Sequence, residues 1–409
     1  MGTSVERGPL LDVSAERART PGSQAAHHFN AAGSALPTTR VVGSVVEHLL
    51  REQTHGGYEA AAMVADDLES VYSSAARLVG ATPGEIALFD SATTGLRAVV
   101  DALRLSRGDR LLVSRSTYVS HALHLMSLAQ ERGVELLVAR SAPDGAIDLG
   151  HLDDLLTGGR GGARTVVCVA HIPTSSGLVE PAAAVGELAA RHGATYVLDA
   201  TQSVGHLRVD VATLRCDALV TTGRKFLRAP RGTGFAYVSA ALTARLAPAV
   251  PDVRGARWTG ELAWELSPTA RRFESWETSI AGRLGLGAAL AESLQRGVDR
   301  SEEHLVATAE ALRADLRALP RVNVQDPPAA RSGIVTFTVD GVPAREVVAQ
   351  LAARRVRTVA VPATHAQWDL GHRGLDAVVR ASLHVYNDAA DRGALLEAVA
   401  ALPAVETAA

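Results

Sequence analysis

Long apolar runs, cysteine, aromatic residues and an excess of charge of either sign are all scarce in this chain of 409 residues. No stretch approaches the roughly 20 consecutive apolar residues of a membrane-spanning helix. The 41 Lys+Arg and 44 Asp+Glu leave a net charge of −3, which argues against nucleic acid or an anionic membrane as the main partner. Of the two cysteines, Cys168 lies inside the apolar run 165–170 and Cys216 opens another. Neither reads as half of a disulfide or as a metal ligand, and a cytoplasmic location fits. The 14 histidines show no HExxH-like ligand spacing, so no metal is expected. Residues 1–25 alternate charges (Glu6, Arg7, Asp12, Glu16, Arg17) without an apolar h-region. They read as a partly ordered tail, not a signal peptide, and Glu6 stands where a myristoylation signal needs Ser or Thr.

What is present is an ordinary globular composition, 47% hydrophobic and 21% charged, long enough for one large domain and a smaller one. Short apolar runs at 85–89, 110–113, 134–138, 165–170, 195–198 and 218–221 alternate with helical patterns at 96–105, 122–132 and 182–192. That alternation predicts an α/β domain over 46–286 with a mostly parallel sheet buried on both faces. A long helix over 287–319, a strand at 333–339, a helix at 344–354, a strand at 378–383 and a final helix at 389–402 suit a smaller α+β domain over 287–409, which residues 26–45 join. The glycine-rich run 157–162 has neither P-loop nor GxGxxG order and reads as a surface loop.

The chemistry centres on Lys225, in Thr222-Gly223-Arg224-Lys225 just after the run 217–220, and on Asp199, at the end of the run 196–198 and followed by Ala200-Thr201-Gln202. A lysine amine that forms a Schiff base with an aldehyde, and a carboxylate that keeps a pyridine nitrogen protonated, are what pyridoxal 5′-phosphate (PLP) chemistry needs. Alone, the pair also reads as a solvated lysine and a turn aspartate. Ser91-Ala92-Thr93-Thr94-Gly95 follows a strand and opens a helix; it suits a phosphate, and equally an ordinary Ser/Thr N-cap.

With these surroundings, the segment 199–225 resembles the class V aminotransferase family, which includes cysteine desulfurases and isopenicillin N epimerase-like proteins; the resemblance extends over about 29–397. It implies a fold type I PLP-dependent transferase that is a homodimer with shared active sites. It also implies that Thr222 and Arg224 reach the phosphate, with Ser91, Ala92 and Thr93, and that Thr278 reaches the phosphate of the neighbouring subunit. Tyr118, in Ser116-Thr117-Tyr118, takes the ring-stacking position, where a loop tyrosine in water is the alternative. His171-Ile172-Pro173-Thr174 carries Thr174 where the family has an Asn that contacts the ring oxygen or the substrate, so Thr174 is expected among the cofactor-binding residues and Gln202 at the ring oxygen. His171 reads equally as a structural strand-end residue. Arg380, in Arg380-Ala381-Ser382-Leu383-His384-Val385-Tyr386-Asn387, matches the family's clamp for a substrate carboxylate; Arg357 is a weaker second candidate. Asn30-Ala31-Ala32-Gly33 resembles the segment that closes over the substrate, and the expected loop 54–59, with Tyr58, is similar to the epimerase-like branch.

Desulfurases carry a nucleophilic cysteine shortly after the position of Arg357-Thr358. Here Val359 to His365 contain none, which removes persulfide formation. The expected activity is β-elimination of the C–S bond of a cysteine S-conjugate in specialised metabolism. The chain is similar to actinobacterial C–S lyases and to lincosamide-antibiotic enzymes that process S-glycosyl-cysteine. An aminotransferase, epimerase or decarboxylating deaminase acting on an amino acid is the alternative. A non-catalytic PLP-binding regulator is the remote one, because residues 1–25 are too few for a DNA-binding module.

Overall fold

The computed structural model describes residues 11–159 and 162–403. Residues 1–10 of the leader and Arg160 and Gly161 of the glycine-rich run lie outside the described residues. The larger sheet has seven strands: β1 (Ile86–Phe89), β2 (Arg110–Val113), β3 (Glu135–Val138), β4 (Thr165–Ala170), β5 (Thr195–Asp199), β6 (Ala218–Thr222) and β7 (Gly234–Val238). They lie in the order β1-β7-β6-β5-β4-β2-β3. Strands β2 to β6 pair in parallel, and β7 runs antiparallel to β6 and β1. The strands are apolar without alternation because both faces are covered. Val167, Leu198 and Leu219 enter the core on one face, while Val166, Val197 and Val220 enter a second core on the other. Strand β7 has no counterpart in the sequence reading, which stopped at the glycine-rich turn before it.

An exposed hairpin, β8 (Ala256–Gly260) with β9 (Ala263–Leu266), follows. The predicted helix over 287–319 is instead two helices, Ile280–Arg296 and Val298–Ala318. They meet at Gly297, whose φ of +86° ends the first helix in a conformation that glycine adopts at little cost. The smaller antiparallel sheet holds β10 (Val322–Val324), β11 (Ile334–Val339), β12 (Val359–Pro362) and β13 (Ala377–Ser382), in the order β10-β11-β13-β12. His27–His28 pairs in parallel with Val356–Arg357, and Asn30 bridges to Ser382. The early chain thereby runs along the edge of β13, with Phe29, Ala31 and Ala32 in the same core as Phe337 and Val379.

The described part of the leader is not a loose tail. Asp12 caps a helix, Val13–Ala18, accepting from the Ala15 amide at 3.0 Å. Glu16 on that helix is buried between Arg228 (2.9 Å) and Arg296 (3.5 Å). Among the described residues no helix is long and apolar enough to cross a membrane.

Candidate active site

Lys225 stands in a tight turn after β6. The Gly223 amide donates to Thr233 O (2.8 Å), the Arg228 amide to Lys225 O (2.9 Å) and the Ala229 amide to Gly223 O (2.9 Å). A Cβ on Gly223 would lie 2.2 Å from Thr233 Oγ1 and 2.8 Å from Ala229 Cβ, so only glycine fits before Arg224 and Lys225. Arg228 closes the turn with φ +66°, a left-handed conformation that costs an L-residue about 1–2 kcal/mol. Its guanidinium offsets that cost by bonding Glu16, Leu36 O (2.8 Å) and the Thr20 hydroxyl. The leader helix thus braces the lysine turn from behind.

Burial, then the cations of Arg224 and Arg380, hold the Lys225 amine well below the ordinary lysine range; Asp199 opposes them less strongly. Asp199 ends β5, the strand beside β6. Burial works to raise its pKa, but His121 Nδ1 (3.1 Å from Oδ2) and the Thr201 amide (3.0 Å from Oδ1) prevail, and the carboxyl sits below its usual value.

A cavity of about 250 Å³ lies in front of Lys225, walled by Ser91, Ala92, Thr93, Tyr118, Thr222 and Arg224, with His121. Ser91 is the N-cap of the helix Ala92–Ala102, accepting from the Thr94 amide at 3.2 Å. The cap and anion-site readings of this segment are therefore compatible: free N–H groups of the first turn and the hydroxyl of Thr93 face one space. Tyr118 is the N-cap residue of the helix Val119–Arg132, and Lys225 Nζ lies 5.8 Å from its ring centroid. The Arg224 guanidinium donates to Gly33 O, tying the segment after Asn30 to the cavity.

Arg380, on β13, is buried. Its Nη1 donates to Thr174 Oγ1 (2.5 Å) and Thr174 O (3.1 Å), and its Nη2 to Asn30 Oδ1 (3.3 Å). Its Nε is buried with no partner. Burial and Arg224 bring its pKa down to about 10. Thr174 therefore orients Arg380 and, contrary to the expectation that it binds the cofactor, is not among the residues lining the Lys225 cavity; β13 lies across from it and its short side chain reaches the guanidinium first. Gln202 Nε2 donates to Ala32 O (3.2 Å), while its Oε1 is buried and unpartnered.

Three expected residues are not brought to Lys225 within the chain. The predicted loop 54–59 is a break at Gly56 between the helices Thr39–His55 and Gly57–Met63. Tyr58 on the second helix is 77% exposed. With Trp276 and Thr278 it lines a separate cavity of about 480 Å³. Arg357 is exposed, its backbone spent on pairing with His28, and its side chain has no polar contact with Arg380 among the described residues. His171 takes its structural reading: its amide donates to Asp199 O and its carbonyl accepts from Glu180, both at 2.9 Å, and burial brings its imidazole pKa down to about 4.

The residue missed is His121, three positions after Tyr118 and one helical turn into the cavity wall. Only its side-chain contact with Asp199, at the end of β5, reveals it. A second signal was present in the sequence and passed over: Lys225 is the only lysine of the chain, every other basic side chain of the Lys/Arg pair being arginine.

Both thiols are out of reach. Cys168 and Cys216 are buried, and burial pushes each up to about 12. The segment after β12, where a nucleophilic loop would stand, is a short 3₁₀ turn (Ala363–His365) and a π turn (Gln367–Gly371). It is pinned by Ser175 Oγ donating to Asp369 (2.5 Å) and Arg115 donating to Trp368 O (3.2 Å).

The family model of the class-V aminotransferases matches residues 27–395. The chain belongs to that family, whose members are fold type I enzymes that use PLP. It is 26% identical over 358 residues, 86% of this chain and 88% of the relative, to a probable cysteine desulfurase of Methanothermobacter thermautotrophicus. Among solved structures, the cysteine desulfurase CsdA of Escherichia coli superposes with a TM-score of 0.87 at 21% identity, covering 96% of this chain and 98% of that one. The cystine C-S lyase C-DES, in complex with its product cysteine persulfide, superposes with a TM-score of 0.84 at 22% identity, covering 93% and 99%. At these identities the superpositions speak for the fold.

Proposed function

We propose that this chain is a PLP-dependent C–S lyase that splits S-substituted cysteine by β-elimination, without a cysteine nucleophile of its own. The observation that carries the reading is the combination of one amine that lines a cavity, Lys225, with two thiols that are both buried and held un-ionised. The fit of the cofactor rests on the 250 Å³ cavity with a helix N-terminus and hydroxyls at one end, the lysine at the other and an ionised buried Asp199 beside it. Bound beside Lys225, PLP would supply an aldehyde for amines and an electron sink for the substrate's Cα.

The protein groups supply the rest. Ser91, Thr93, Thr222 and Arg224 hold the phosphate, Tyr118 covers the ring, Gln202 serves the ring oxygen and Asp199 keeps the ring nitrogen protonated. Arg380 holds the substrate carboxylate through its unpartnered Nε and one Nη, with Thr174 and Asn30 fixing the plane of the fork. Lys225, deprotonated because its pKa is depressed, takes the Cα proton. The Cβ–S bond then breaks with its electron pair going to sulfur, and a Cα=Cβ bond forms. The thiolate leaves and picks up a proton; hydrolysis of the unsaturated amino acid yields pyruvate and ammonia. Relatives named cysteine desulfurase and cystine C-S lyase support a cysteine-type substrate.

Thr278 and Tyr58 fit this reading as contributions to the active site of a second copy in a homodimer. Exposed Trp276 lines their cavity, and exposed Val42, Val46 and Leu49 lie on the helix that contributes Glu52 to it, an apolar surface suited to an isologous contact. Specialised, antibiotic-type metabolism in the cytoplasm is the setting we assign. The test is product analysis with an S-alkyl cysteine. Thiol, pyruvate and ammonia in equal amounts support the reading; an intact C–S bond with a keto acid, aldehyde or D-amino acid overturns it in favour of a transaminase, deaminase or epimerase.

A further inference from the structure

His121 is 3% exposed, yet it lines the Lys225 cavity and touches the strand-end carboxylate. Its Nδ1 is 3.1 Å from Asp199 Oδ2. Because the partner is a carboxylate, Nδ1 carries the hydrogen and donates it. The opposite nitrogen, Nε2, is buried and has no partner. The ring meets that of Tyr118 edge-on, at 86° and 5.9 Å between centroids. One side chain therefore contacts both the group that covers the cofactor ring and the group that holds its proton.

We propose that His121 is a positioning residue for the cofactor's electron sink: it fixes the Asp199 carboxylate and, by donating to Oδ2, sets how firmly that carboxylate keeps the pyridine nitrogen protonated. The inference rests on the reading that Asp199 faces that nitrogen. Two physical effects follow from the contact. A carboxylate that accepts from an imidazole and from the Thr201 amide is held in one rotamer, which an isolated aspartate at a strand end is not. The same donation opposes the effect of burial, which works to raise the carboxyl's pKa, and so keeps Asp199 ionised, as it must be to hold a proton on the ring nitrogen.

A second proton on Nε2 would place a full positive charge beside Asp199 and weaken its hold on the ring. Arg224 and Arg231 line the same cavity as Lys225, with Asp90 on its rim. Behind the ring, Thr117, Leu96, Leu125 and Cys168 offer no anion, the thiol being un-ionised. Among the described residues, Asp199 is the buried carboxylate that His121 touches, and Tyr118 completes the enclosure.

The experiment uses the holoenzyme and its His121→Phe, His121→Asn and Asp199→Asn variants. It reads the nitrogen NMR shift of PLP isotopically labelled at the ring nitrogen, the visible band of Lys225-bound PLP against pH, and kcat separately from KM. In His121→Phe the ring nitrogen moves toward the unprotonated shift, and kcat falls about 10–100-fold, as for loss of other outer partners that orient a reactive group, with KM nearly unchanged. His121→Asn, which keeps a donor in nearly the same place, restores most of both. An unchanged ring-nitrogen shift in both His121 variants, with a moved shift in Asp199→Asn, overturns the role of His121 and leaves Asp199 in place. An unchanged shift in Asp199→Asn overturns the assignment of Asp199 itself, and the role of His121 with it.

Discussion

Replacing Arg380 by alanine is the perturbation with the clearest separable effect. The guanidinium is buried, oriented by Thr174 (2.5 Å) and Asn30 (3.3 Å), and keeps Nε free. A substrate carboxylate bound there gains two charge-assisted hydrogen bonds, each worth about 1.5–3 kcal/mol. Their loss, about 3–6 kcal/mol, lowers kcat/KM by roughly 10²–10⁴-fold at about 1.4 kcal/mol per decade. Arg380→Lys keeps the charge but not the fork and falls between. A second effect comes with the first. Arg380 is one of the cations that depress Lys225, so its removal lets the lysine pKa rise toward the ordinary range. A base must be unprotonated to act, and the acid limb of the kcat/KM profile therefore moves to higher pH in Arg380→Ala. The assay compares an S-alkyl cysteine with the corresponding decarboxylated amine. The variant should lose its activity on the acid and lose little further on the amine, which is already poor. An equal fall on both, or a fall of less than about threefold on the acid, would falsify the clamp.

Asp199→Ala should retain PLP through the phosphate contacts yet turn over orders of magnitude more slowly; near-parental turnover removes it from the ring nitrogen. Glu16→Ala should lower the free energy of urea unfolding by about 3–5 kcal/mol, because Arg228 and Arg296 are left buried without their carboxylate. Breaking the exposed Arg257–Glu265 pair should cost about 0–1 kcal/mol. The Glu16 carboxyl feels burial first, but its arginines bring its folded pKa below 4.5. Its contribution is thus complete above that value and lost as pH falls through the depressed one; a Glu16→Ala deficit that persists at low pH contradicts this. Mixing Lys225→Ala with Thr278→Val protomers should restore activity through heterodimers carrying one intact site; no gain on mixing, or an active monomer by sedimentation, removes the shared site.

The large domain was legible because its strands are short, apolar and spaced by helices, a pattern that a parallel sheet buried on both faces imposes directly. The positions of Lys225, Asp199 and Arg380 were legible because strand ends and short motifs mark them; their roles are proposals. What escaped was non-local. Strand β7 depends on pairing with β1 and β6, and the break at Gly297 is a single φ inside a helical pattern. His121 shows itself only when the helix after Tyr118 is laid against β5. Glu16 looked like one charge among several in a leader, and its two arginine partners come from positions 228 and 296. Thr174 was placed on the cofactor because the motif says where it stands, not whom it bonds.

The claim at the centre of this account is that the C–S bond is broken with no sulfur ever carried on the protein. Intact-protein mass spectrometry during turnover of cystine or an S-alkyl cysteine tests it most directly. The account predicts a polypeptide mass unchanged apart from cofactor on Lys225, with all released sulfur found in solution as thiol or persulfide. A protein species heavier by one sulfur atom, mapped to Cys168 or Cys216 and formed and discharged at the rate of turnover, would contradict it.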